Sequence, residues 1–128
     1  LPKGRTLEGV LADFGGLTPP VVAARRDDPP TGPLVDVPGS VMVRYAEGWR
    51  GLISDRARSR RLSHGLRAAI RAGGTFHVWL HPINLYAGHP RLADVLRGFF
   101  AEVREEVDKG AVTVKTMGTI AHEALRGT

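Results

Sequence analysis

Between Arg58 and Pro82 the sequence runs through an arginine-rich helical stretch, two adjacent glycines, a short apolar strand and a proline, and no other stretch restricts the fold as tightly. Leu62, Leu66, Ala69 and Ile70 fall at i, i+4, i+7 and i+8, which gives one apolar helical face opposite Arg60, Arg67 and Arg71. Gly73 and Gly74 stop that helix, as glycine at a C-cap does. From Thr75 to Leu80, Phe76, Val78 and Leu80 alternate with His77 and Trp79; the aromatic and β-branched content favours a strand, and Pro82 closes it.

The same grammar extends on both sides. Leu34-Val35-Asp36-Val37, closed by Pro38-Gly39-Ser40, has the composition of a buried strand ending in a turn. Leu92, Val95, Leu96, Phe99, Phe100, Val103 and Val107 form a continuous stripe over a helix from about Pro90 to Lys109, with proline at its first turn and Gly110 at its end. Val112-Thr113-Val114 suits a third short strand. Met117, Ile120, Ala121, Ala124 and Leu125 suit a last amphipathic helix with Thr116 as N-cap. The expected order is therefore βαβαβα, an α/β fold with parallel strands and right-handed crossovers. Residues 1–32, dense in glycine and proline apart from a short strand at Val21 to Ala24, are expected to form a loop-rich connecting segment ahead of a unit spanning 33–128.

Length and composition bound this further. A chain of 128 residues is about half of what a closed eight-stranded βα barrel requires, so open sheet edges and an uncovered apolar surface call for a partner segment. Leu1 is not a methionine, which suggests that residues precede it, and the first thirty residues hold no charged region followed by an apolar run. No apolar run approaches the ~20 residues that span a bilayer, so a soluble chain is expected, its compartment open. With no cysteine, disulfides, thiolate nucleophiles and zinc-thiolate sites are excluded, and any metal needs His, Asp or Glu.

The net charge of +5 is concentrated: Arg44 to Arg71 holds eight arginines against Glu47 and Asp55, while Ala72 to Thr128 balances six positive against six negative residues. Three readings stand for the basic stretch: a solvated face, a surface for an anionic partner, or a nucleic-acid surface. The third is disfavoured by the lack of interleaved aromatics and of any nucleic-acid motif.

In folds of alternating strands and helices, chemistry gathers at the C-terminal ends of the strands. His81 stands there, one residue past Leu80 and fixed by Pro82, and an imidazole so placed can act as a general acid or base, or simply cap the strand. Trp79 shares its parity and forms either an apolar pocket wall or interior packing. Asn84 serves the loop backbone or a substrate hydroxyl. His77 lies four residues before His81, roughly 13 Å away along an extended strand, too far to share one metal ion, and reads as a core or supporting residue. His64, His89 and His122 have no companion ligands at a useful spacing and read as surface residues. No GxSxG elbow, phosphate-cradling loop or dinucleotide fingerprint is present.

Taken together, Gly65 to Leu85 (GLRAAIRAGGTFHVWLHPINL), the helix after it and Ala111 to Leu125 (AVTVKTMGTIAHEAL) resemble the C-terminal half of the polysaccharide deacetylase family. The resemblance spans roughly Leu34 to Leu125, and its most specific pieces are Leu80-His81-Pro82 and Val114 to Gly118. It implies the C-terminal portion of a distorted (β/α) barrel, and a metal-dependent hydrolysis that removes acetyl groups from a glycan. On that resemblance His81 is the general acid that protonates the departing amine or alkoxide, and Trp79, standing where leucine is usual, lines the acetyl pocket. The family's divalent metal, usually zinc, is held by an aspartate and two histidines from a Thr-Phe-Asp-Asp-like and a His-x-x-x-His-like motif. Neither motif occurs in this chain. Asp27-Asp28 lacks the apolar strand that the first motif needs. The metal would thus be bound by residues absent from this chain, with the missing half or another chain completing the barrel around an acetylated carbohydrate. The alternative is a noncatalytic carbohydrate-binding or scaffold module of the same fold.

Overall fold

The structure, a computed structural model, describes residues 18–44, 52–86 and 90–127. Its elements in chain order are β1 (Arg25–Asp27), β2 (Leu34–Asp36), β3 (Val41–Met42), α1 (Asp55–Ala72), β4 (Val78–Trp79), α2 (Ile83–Tyr86), α3 (Pro90–Asp108) and α4 (Met117–Arg126). The strands form two two-stranded sheets, β1 with β2 and β3 with β4.

Local signals account for the helix ends. Ser54 caps α1, its Oγ accepting from Ala57 N at 3.1 Å. At the other end Gly73 adopts φ +62°, and Gly73 and Gly74 donate to Ile70 O and Ala69 O, closing the helix with the left-handed turn that glycine tolerates best. Gly110 ends α3 in the same way, and Thr116 caps α4 through Thr119 N.

The core lies between α1, α3 and the β3–β4 pair. Val41, Val43, Leu62, Leu66, Leu92, Val95, Leu96 and Phe99 are buried together, and Ile70, Phe76, Val78, Leu80, Val103 and Val112 pack against them. Each buried Leu, Val or Phe side chain stabilises by about 1.5–3 kcal/mol relative to exposure. Phe76 meets Phe99 edge to face at 6.1 Å, and Ser63 and Arg67 of α1 both donate to the carboxylate of Glu102 on α3. Helices and strand are thereby locked in one arrangement. Gly65 is where Phe76 approaches α1 most closely: a Cβ there would overlap the ring.

The strand pattern departs from the sequence expectation in several places. β1 and β2 pair antiparallel, Arg26 opposite Val35, because the connection 28–33 is far too short for the crossover that parallel strands need. The connection of this hairpin includes Gly32 with φ +116°. β2 is also mostly exposed and ends at Asp36, with Val37 the first buried residue. The strand that does pair parallel with the histidine segment is β3, Val41 opposite Val78 and Met42 opposite Trp79, for which no strand is expected from the sequence. Of Val21 to Ala24, only Val22 pairs, bridging Thr75 antiparallel. Residues 112–114 belong to neither a helix nor a paired strand, Val112 packed against the core and Val114 exposed. The helices expected at 58–72, 90–109 and from Met117 onward are formed close to those bounds.

The glycines separate core packing from helix propensity. Gly65→Ala should destabilise by about 1–3 kcal/mol through overlap with Phe76. Gly98→Ala on α3, where a Cβ meets open space, should stabilise by about 0.5–1 kcal/mol. Urea unfolding of the two variants should move the midpoint in opposite directions.

Candidate active site

The geometry at the end of β4 begins with a junction made by His77. Its Nδ1–H faces two acceptors, Val37 O at 3.2 Å and Pro38 O at 3.1 Å, so that nitrogen carries a proton and donates to both carbonyls. His77 N donates to Ser40 Oγ at 3.1 Å, and His77 O accepts from Ser40 N and Val41 N. Ser40 is buried, so the backbone between Val37 and Val41 has few other partners to choose from. These bonds set the register that puts Met42 opposite Trp79, and Val43 N completes it by donating to Trp79 O at 2.9 Å.

Trp79 and His81 lie on the same side of this segment, rings edge to face with centroids 5.3 Å apart and planes at 88°. Trp79 is 38% exposed and His81 is exposed as well. The indole lies across Gly39: a Cβ there would stand 2.6 Å from Trp79 Nε1. Absence of a side chain at Gly39 is what lets the indole stand against the turn and beside the imidazole. Pro82 then opens α2, in which Asn84 N donates to His81 O at 2.9 Å and Leu85 N and Tyr86 N donate to Pro82 O. The His81 backbone is fixed while its ring remains accessible.

Asn84 is buried, and its backbone N–H donates to His81 O at the turn, the loop role that its position after Pro82 allowed. Sequence reading did not anticipate that Ile83, Leu85 and Tyr86, in the turn that follows His81, are 63%, 44% and 87% exposed. The signal was available: four residues after a proline that carry three large apolar or aromatic side chains cannot all be buried by a single helical turn.

Among the described residues no three of His, Cys, Asp and Glu converge as a metal ion requires. Asp27 belongs to the exposed hairpin, and Asp28 is held by Arg26 at 2.9 Å. The residues described thus do not fit the divalent metal that the resemblance implies, and no chemical step is routed through one. His64 is half-buried on α1, His122 is exposed on α4, and His89 lies outside the described residues. Also among the described residues, no helix is long and apolar enough to cross a membrane. No protein-family model, curated protein or solved structure matches the chain.

Gly39→Ala tests how the indole is seated. In a Trp49→Phe background, where Trp79 is the one remaining tryptophan, the substitution should displace the indole and shift its emission maximum. Because the displaced group is a partly exposed side chain, the stability loss in urea should stay at about 1 kcal/mol or less.

Proposed function

We propose that this chain supplies the proton-donating part of a glycan deacetylase, with His81 as general acid and Trp79 as a wall of the acetyl pocket. The observation that carries the reading is the exposed, edge-to-face Trp79–His81 pair at the C-terminal end of β4. In deacetylation the bond between the acyl carbon and the sugar nitrogen or oxygen breaks, and the departing atom needs a proton. An imidazole within hydrogen-bond reach of that atom provides it. Trp79 offers an apolar edge to the acetyl methyl, and a fixed His81 backbone keeps the imidazole beside it. Asn84 holds the turn from beneath through His81 O.

In this proposal a divalent metal, usually zinc, would be held by residues outside this chain and would supply the activation of water there. The exposed apolar side chains of Ile83, Leu85 and Tyr86, in the turn after His81, support a further segment or chain packing at this end of the sheet. The substrate is an acetylated carbohydrate.

The test is acetate release from acetylated chitooligosaccharides and acetylated xylan by a protein that joins this chain to a segment carrying the metal ligands, assayed with zinc. His81→Ala should lower kcat by about 10²–10⁴-fold and leave zinc affinity unchanged. The 128-residue chain by itself should release no acetate. Turnover unaltered by His81→Ala would remove the acid role, and saturable oligosaccharide binding without any turnover in the joined protein would favour a noncatalytic module.

A further inference from the structure

Most solvent-facing cations of α3 are paired within that helix, Arg91 excepted, and most of those on α1 are not. On α3 and just beyond it, Arg97, Arg104 and Lys109 each pair with a carboxylate three or four residues away: Asp94 at 2.6 Å, Asp108 at 3.1 Å and Glu106 at 2.7 Å. On α1 the arginines that face solvent are Arg56, Arg60, Arg67 and Arg71. At 100° per residue they fall within an arc of about 60° and extend over roughly 22 Å. Arg67 shares Glu102 with Ser63. Among the described residues no carboxylate pairs with Arg56, Arg60 or Arg71. The spacing puts Arg60 four residues after Arg56 and Arg71 four after Arg67, like-charge neighbours that destabilise a helix unless an anion lies between them.

We propose that this stripe is a docking surface for an acidic polysaccharide, which deepens the deacetylase reading by making the substrate a polyanionic glycan. The guanidinium forks match carboxylate and sulfate groups in a bidentate manner. The stripe carries no aromatic side chain on which a nucleobase would stack. The apolar face of α1, with Leu62, Leu66 and Ala69, is already buried in the core, so the helix has no wedge to insert into a bilayer. β3 and β4 are parallel and α1 lies between them in the chain, its last turn leading through Gly73 and Gly74 towards β4. α1 therefore runs back along the sheet, with Arg56 towards the end where His81 stands. A polymer seated at Trp79 and His81 can continue along the stripe.

The experiment is a binding titration of the 128-residue chain with fluorescently labelled polygalacturonate oligomers, set beside neutral dextran oligomers, duplex DNA and anionic phosphatidylglycerol vesicles over a range of salt. The chain should bind the polyuronate in preference to the other three, with affinity falling as salt rises. The triple variant Arg56→Gln, Arg60→Gln, Arg71→Gln should lose about tenfold or more and flatten the log–log salt slope by about two to three. The control Arg97→Gln, Arg104→Gln should change affinity less than about twofold, its cations being already paired. Far-UV circular dichroism should show equal helix content in all three proteins. Unchanged polyuronate binding by the triple variant overturns the proposal, as does failure of the parent chain to bind polyuronate or tighter binding to DNA or vesicles. None of these readouts depends on acetate release, so failure here leaves the His81 assignment standing, and loss of the His81 assignment leaves this one standing.

Discussion

The arrangement at the end of β4 depends on one side chain that performs no chemistry. His77 gives a single N–H to two carbonyls, Val37 O and Pro38 O, while its own backbone exchanges bonds with Ser40 and Val41. Buried carbonyls left without donors are costly, about 1–3 kcal/mol each, so the turn at Pro38-Gly39-Ser40 has one good place to lie. Once it lies there, β3 enters in register with β4, Gly39 comes under the indole of Trp79, and the indole reaches His81. The orientation of the exposed pair is thus set from below by a polar junction.

What keeps that junction in place is the packing of α1 against α3. Phe76, one residue before His77, fits over Gly65 and meets Phe99 edge to face. Glu102 collects Ser63 and Arg67 at the rim of the same interface. The strand segment therefore carries two kinds of anchor on alternate residues: Phe76, Val78 and Leu80 facing the helices, His77 facing the turn. The hairpin β1–β2 and α4 form a second contact region, in which no residue of α4 is fully buried. Stability is unevenly distributed, concentrated in α1, α3 and β4.

Elements governed by local rules were legible in the sequence. α1, α3 and α4 follow from apolar periodicity with serine, threonine and glycine at the ends, all of which act within a few residues. The parity that sets His77 apart from the core positions, and puts Trp79 beside His81, follows from the two-residue repeat of a strand. Pairing between distant segments was not legible. Val41–Met42 is too short to announce itself as a strand, and only its bonds to His77 and Trp79 make it one. Arg25–Asp27 is polar throughout and becomes a strand by lying opposite Leu34–Asp36, whereas the better-looking Val112 to Val114 pairs with no strand among the described residues. The burial of Asn84 was not legible either: a polar residue after a proline gives no sign of whether its turn folds outward or beneath the backbone.

On the proposed function, the exposure of the site has a consequence for how it would work. A general acid open to water on one side loses much of its advantage, since solvent competes for both its proton and the leaving group, and electrostatic interactions are screened. Trp79 covers one edge of His81, and Ile83, Leu85 and Tyr86 in the following turn are exposed. Whatever packs onto that surface removes large apolar side chains from water, at about 25 cal/mol per Å², and dries the imidazole in the same step. Completing the hydrophobic surface and completing the acid would then be one event. Under the proposed function, that coupling leaves the turn with its accessible histidine inert on its own and makes it competent when covered.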